Sequence, residues 1–356
     1  MILILKENLK MVIDLASASE ELYKAFGKNP VIPNNLQKKD INLGDLDKEH
    51  RQIIYFGAPG TGKSFQLNED SKKFNSSNVE RVTFHRSMTY GQFIGVFKPF
   101  PNQDSITYKY VPGFLMSQLI KALLNPNEAY LLIIEEINRA DVSSVFGDFF
   151  QLLDRNSKNR SIYPISISYD FKYYLNNELK NDLSNISDNQ ISELKKDLQS
   201  GLYLPSNLFI WATMNSADQG VISMDTAFKR RWEQKYFGIN DLYESNRSDF
   251  DMFYKIKNGS NGSISWNDLR QQINAKLIIL KVPEDKLLGP YFISKRILES
   301  DEQIVTESFE SKVIMYLFDD VVRHNRQDFF NIEEERMIYS EIIKDFQEKG
   351  ISVFNI

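Results

Sequence analysis

Residues 51–70 read RQIIYFGAPGTGKSFQLNED, and no other stretch restricts the fold so tightly. A short apolar run, Ile53 to Phe56, leads into a glycine-rich loop and then into a helix-compatible segment. Gly57 to Ser64 fit the pattern G-x-x-x-x-G-K-[ST] between a strand and a helix, which is the setting of a phosphate-binding loop and not of a chance turn. Glycines let backbone N–H groups face phosphate oxygens, at a helix N-terminus whose dipole favours anions. On this reading Gly57, Ala58, Pro59, Gly60, Thr61, Gly62, Lys63, Ser64 and Phe65 bind the nucleotide. Lys63 sets a point charge at the β- and γ-phosphates, and Ser64 offers its hydroxyl to Mg2+.

A second stretch, YLLIIEEINRADVSSVF at residues 130–146, poses a physical problem. An apolar strand runs into two adjacent acids, Glu135 and Glu136, and desolvating carboxylates is costly without a cation or hydrogen bonds. The upstream loop supplies the cation. Glu135 would face the magnesium shell, directly or through water, and Glu136 would orient and polarise the attacking water. Two solvated glutamates at a strand end would suit a surface strand, whereas LLII reads as buried on both faces, as in a parallel sheet.

The rest of the chain organises around these two elements. At 356 residues there is room for about two domains. The chain is 42% hydrophobic and 26% charged, an ordinary globular composition. A net charge of -5 means the surface as a whole does not attract nucleic acid, while leaving room for a local basic patch. With no cysteine, disulfides and thiolate metal sites are excluded, and the three separated histidines argue against a His-based metal site. No run approaches the roughly 18 apolar residues of a membrane span, so a cytoplasmic, soluble chain without a membrane partner is expected.

Strand-like IIYF, ERVTFH, YLLIIE and NLFIWATMN alternate with helix-like SFQLNEDSKKF, FLMSQLIKALLN and ADVSSVFGDFFQLLDR. Such alternation predicts an α/β fold with a parallel sheet, to which RRWEQKYFGI adds a fifth strand. SIYPISISYD has period-two character and reads as part of a hairpin. Residues 171–200 are polar and helix-compatible, an insertion sitting on the core. The domains expected are an N-terminal helix (around Leu9 to Phe26) with a linker over 1–50, a core over 51–240, and a helical lid over 241–356.

Four segments together carry a family resemblance: GAPGTGKSF, VTFHRSMTYGQFIGVFKPF, IIEEINRADVSSVFGDFFQLLD and IWATMNSADQGVISMDTAFKRRW. Over roughly residues 52–240 the chain resembles the AAA+ module of the McrB-like NTPases, motor subunits of modification-dependent restriction systems. M-N-x-x-D in order with E-I-N-R is the distinguishing signal.

The resemblance implies a P-loop AAA+ domain with a five-stranded parallel sheet flanked by helices, followed by a small helical lid. It implies Mg2+-dependent hydrolysis of GTP, with ATP close behind, in a homo-oligomeric, hexameric ring. A McrC-like nuclease subunit would be the partner, with DNA engaged indirectly or through the ring. Asn215 would be the strand-end residue contacting the γ-phosphate or water, and Asp218 would help position that water or the next subunit. Arg230 and Arg231 are the arginine-finger candidates, while the bland reading of KRRW is a solvated basic turn.

Asn138 and Arg139 would organise the interface between protomers, Asp141 would cap the following helix, and Tyr291 and Phe292 of LLGPYFIS would pack. Glu135 stands where the family usually has Asp, and Gln219 where it often has a cation. With about fifty residues before the loop, the chain is expected to be a motor without its own DNA-reading domain. Rival readings are a MoxR-like ATPase that remodels proteins and a nucleotide-gated scaffold with little hydrolysis.

Overall fold

The computed structural model describes residues 43–102, 105–182, 186–215, 222–246, 256–258 and 262–356. The expected helix around Leu9 to Phe26, together with Asp218 and Gln219, lies outside them. Seven strands build the core: β1 (Gln52–Gly57), β2 (Val79–Thr83), β3 (Gly95–Asn102), β4 (Ser105–Pro112), β5 (Tyr130–Glu135), β6 (Leu208–Asn215) and β7 (Glu233–Phe237). Five of them form a parallel sheet in the order β2-β5-β6-β1-β7. This is the α/β architecture that the alternation predicts, with RRWEQKYFGI supplying the fifth strand.

The apolar runs are buried on both faces because the sheet separates two hydrophobic layers. Ile54, Leu132, Ile134, Ile210 and Ala212 face one cluster, while Ile53, Tyr55, Leu131, Ile133, Phe209 and Trp211 face the other. The period of two along each strand sorts them. Helix α1 (Lys63–Ser71) covers the second layer through Leu67, and α2 (Phe114–Leu124) covers the first through Leu115, Met116, Leu119, Ile120 and Ala122.

One element is new to the reading, and two expectations about single segments need correction. The residues between the β2 strand and α2 form an antiparallel hairpin, β3–β4, which pairs Phe97 with Tyr110 and Val96 with Val111. SIYPISISYD forms no hairpin of its own. It makes isolated bridges, and Ile165 pairs with the distant Leu202. The segment ADVSSVFGDFFQLLDR is not one helix either. Helix α3 (Val142–Phe146) stops at Gly147, whose φ of 52° suits glycine, and a Cβ there would lie 2.8 Å from the Tyr90 ring. A 3-10 turn, Gly147–Leu153, follows.

The insertion is not a polar attachment. Helices α4 (Tyr169–Asn177) and α5 (Asp188–Asp197) bury Phe171, Tyr174, Leu175, Ile191 and Leu194 in the main core cluster, joined by Leu179 and Leu198. Tyr110 of the hairpin packs against Phe171 and Tyr174, with ring centroids 6.3 and 5.4 Å away. The Tyr110 N–H also donates to Glu178 Oε2 at 3.1 Å. The charged composition reflects the outer faces of amphipathic helices whose inner stripe braces the hairpin.

Beyond β7 a separate cluster forms around Trp266, Leu269, Ile273, Phe309, Leu317, Phe346 and Phe354. It is built from α6 (Trp266–Ile279), helical residues 302–321 and α7 (Tyr339–Lys349). Among the described residues no helix is long and apolar enough to cross a membrane.

Candidate nucleotide-binding site

The parallel register brings the chemistry to one edge. Gly57 stands opposite Asn215, and Thr83 opposite Glu135, so the carboxyl ends of β1, β6, β2 and β5 are level. Ligands of open α/β sheets bind in the crevice outside these ends.

At β1 the chain leaves the sheet through the phosphate loop and enters α1 at Lys63, directly after Gly62. Lys63 is buried, and its ammonium donates to the carbonyls of Gly57 at 3.0 Å and Ala58 at 2.9 Å. The buried Thr61 hydroxyl donates to Ala58 O at 2.8 Å, which tightens the loop from within.

The outer carbonyls of the loop are taken by the second domain. Gly289 N–H donates to Pro59 O at 2.9 Å, and Tyr291 N–H to Gly60 O at 2.8 Å. Gly60 has φ 77°, and a Cβ there would lie 2.4 Å from Phe292 N, so no other residue allows this approach. Tyr291 also stacks on the exposed Phe65 ring, at 6.5 Å between centroids, while Phe292 packs on Tyr316. LLGPYFIS thus packs as expected, and it does so on the loop itself.

Helix α1 is fastened from below by Asp70, which accepts from Tyr55 Oη at 2.9 Å and Lys235 Nζ at 3.0 Å. Burial acts to raise the Asp70 pKa, but the hydrogen bonds from Lys235, Tyr55 and Gln66 outweigh it and hold the carboxyl below its usual range.

The two acids at the end of β5 part company. Glu135 continues the strand, and its oxygens accept from Arg81 Nη1 and Thr213 Oγ1. Glu136 turns out of the strand into the left-handed region, φ 56° and ψ 46°, a strained conformation for this residue type that surrounding contacts must hold. Its N–H donates to Thr213 Oγ1 at 3.1 Å, and its carboxylate accepts from Asn215 Nδ2 at 2.6 Å and Arg139 Nε at 3.3 Å. Asn138 Nδ2 donates to Asn215 O at 2.7 Å and closes the network. Asp141 caps α3 through the N–H groups of Ser143 and Ser144, as its position suggested.

Asn215 and Glu136 are therefore brought together beside the phosphate loop. The oxygen donors there, Ser64 hydroxyl and two carboxylates, suit magnesium, which is commonly held by one or two carboxylates plus substrate phosphates. Among the described residues no group of three or more His, Cys, Asp or Glu forms a separate metal cage.

The two arginines separate as well. Arg230 is exposed. Arg231 is turned inward: it donates to Asp154 Oδ2 through Nε at 3.0 Å and Nη2 at 2.6 Å, donates to Ala227 O at 2.7 Å, and lies 4.1 Å from the Phe150 ring centroid. The Arg231 guanidinium is engaged within its own subunit, and Arg230 is the more exposed of the two candidates. Sequence reasoning missed Arg81 and Thr213. The available signal was a hydroxyl in the otherwise apolar run LFIWATM and a cation in ERVTFH, both on strands ending at the site.

Comparison with known proteins bears on the family. Residues 52–164 match the model of the AAA domain, dynein-related subfamily. The chain is 40% identical over 334 residues to the Type II restriction enzyme BsuMI component YdiS of Bacillus subtilis, covering 86% of this chain and 89% of that protein. It is 27% identical over 186 residues to the Type IV methyl-directed restriction enzyme EcoKMcrB subunit of Escherichia coli, covering 51% of this chain and 34% of that protein. Among solved structures, C. elegans PCH-2 aligns at a TM-score of 0.26 and 13% identity, over 74% of this chain and 61% of that one, too distant to carry any argument.

Proposed function

Since the chain belongs to the McrB-like AAA+ NTPases, we propose that it hydrolyses GTP, with ATP the alternative substrate, as the motor of a restriction system against foreign DNA. It does so in a homo-oligomeric ring, a hexamer, that drives a McrC-like nuclease subunit. One observation carries the catalytic part: Glu136, in a left-handed conformation, is held by Asn215 at 2.6 Å on the strand adjoining the phosphate loop.

In this reading the loop N–H groups and Lys63 hold the phosphates. Ser64 and Glu135 serve magnesium, which when bound neutralises charge on the phosphate oxygens. Asn215 orients Glu136, and Glu136 accepts a proton from the attacking water. Arg230 completes the site of a neighbouring subunit. The occupied oxygens of Glu135 lend some support to a second reading, a nucleotide-gated scaffold with slow turnover.

Phosphate release with GTP and with ATP, each with and without the candidate nuclease, tests the proposal. Glu136→Gln should keep nucleotide binding and lower hydrolysis by about 10²- to 10⁴-fold. Normal turnover in Glu136→Gln alongside loss in Glu135→Gln would exchange the two acid roles. No measurable hydrolysis by the wild type, with nucleotide bound, would leave the scaffold.

A further inference from the structure

We propose that Arg81 is a positioning residue for magnesium: with Thr213 it holds the Glu135 carboxylate so that Glu135 serves the metal through water, and its charge thereby sets how much magnesium the site requires. This rests on the nucleotide-hydrolysing reading above.

Both oxygens of Glu135 already have strong donors. Arg81 Nη1 binds Oε1, and Thr213 Oγ1 binds Oε2. The two donors come from opposite sides, because β5 lies between β2 and β6 in the sheet. Direct coordination would require an oxygen to leave one of them. Magnesium loses its own water reluctantly, so contact through a retained water is the cheaper arrangement.

The Arg81 guanidinium also places a positive charge beside a site that must take a divalent cation, and like charges oppose each other even when screened. Arg81 sits on the edge strand with its side chain 41% exposed, against 17% for Glu135. The pair is therefore open to solvent on the arginine side, and exchange between guanidinium and hydrated metal needs no rearrangement of the core. Side-chain length matters too. Aspartate at 135 would be shorter by about one carbon–carbon bond, roughly 1.5 Å, and would lose its contact with Arg81.

The test is a magnesium titration of fluorescent-nucleotide binding by the full chain, alongside binding in EDTA. Arg81→Ala should lower the magnesium midpoint by about three- to tenfold, as removal of one screened charge near the cation implies, and leave binding in EDTA unchanged. Arg81→Lys should restore the wild-type midpoint. Arg81→Met keeps the stem without the charge and replaces Arg81→Ala if the alanine variant does not fold. In a Glu135→Asp background the same arginine substitution should shift the midpoint less, since the guanidinium keeps its charge but is no longer anchored beside the carboxylate. An unchanged or raised midpoint in Arg81→Ala, or an equal shift in the Glu135→Asp background, would overturn the proposal. Nucleotide binding by the wild type in EDTA, with no midpoint shift in the variants, refutes Arg81 alone. Failure of the wild type to bind nucleotide under any condition refutes the nucleotide reading and the proposal together.

Discussion

Two adjacent like-charged pairs, one at the end of β5 and one after the single-turn helix Thr226–Lys229, are resolved in the same way. Glu135 and Arg231 are engaged inside the subunit, the first by Arg81 and Thr213, the second by Asp154, Ala227 and Phe150. Their neighbours are turned elsewhere. Glu136 leaves the strand through a left-handed turn toward Asn215, and Arg230 is exposed. Side chains one residue apart diverge by roughly 180° along a strand and roughly 100° around a helix. A doubled charge at the end of an element thus gives one member to the scaffold and presents the other. The difference between the pairs lies in the backbone. The acid pair needs a strained residue to achieve the split, whereas the basic pair follows ordinary helical geometry, with Arg230 in the right-handed region.

The sharpest way to break the comparison is to test Arg230 and Arg231 separately. If Arg230 acts on a neighbour's nucleotide, Arg230→Ala should lose about 10³- to 10⁵-fold in hydrolysis while binding nucleotide normally. Mixing it with Glu136→Gln subunits should recover part of the rate, because a subunit with an intact Arg230 beside one with an intact Glu136 makes one whole composite site. Phosphate release from the mixed rings, with subunit exchange measured independently, provides the check. Wild-type turnover by assembled Arg230→Ala would make the KRRW turn merely basic.

Arg231→Ala should behave as a stability mutation. Its side chain is only 9% exposed and carries two hydrogen bonds to Asp154, which would be left partly buried and without that charged partner. A loss of about 2 kcal/mol is expected, read as a lower denaturant midpoint, with hydrolysis per folded molecule retained. A catalytic collapse with unchanged stability would instead give Arg231 the role assigned to Arg230.

What the sequence disclosed, and what it concealed, follows the same division between local and distant contacts. The phosphate loop is legible because its function lies in backbone geometry fixed by neighbouring residues, and the three central strands because LLII and its counterparts are buried on both faces. Asp141 could be placed for the same reason, since a cap acts within its own first turn. The β3–β4 hairpin was hidden because proline and charge interrupt its alternation, and its inner ring, Tyr110, finds its partners about sixty residues away in the insertion. The insertion itself was misread because an average over its residues conceals an inner stripe. Arg81 and Thr213 escaped notice because they meet Glu135 only through strand order, β2-β5-β6, which no local pattern records. Asp218 stays an expectation from resemblance, outside the described residues.

Thr213 offers the finest probe of the acid pair, because its hydroxyl touches both members. It donates to Glu135 and accepts from the Glu136 N–H at 3.1 Å, from a position in β6 that is 2% exposed. Valine matches its shape without the hydroxyl, so Thr213→Val removes both contacts with little change in packing. The Glu136 N–H then loses the acceptor that helps hold its left-handed backbone, and Glu135 loses one of its two donors. A loss of about 1 kcal/mol in stability is expected for such a partly buried network. Hydrolysis should fall about tenfold, the rate equivalent of about 1.4 kcal/mol, with nucleotide affinity unchanged. Thr213→Ser returns the hydroxyl and should restore both quantities. Thermal melting and phosphate release on the three proteins decide the matter. If valine lowers stability but not the rate, the hydroxyl only supports the fold, and Glu136 is held in place by Asn215 and Arg139 without it.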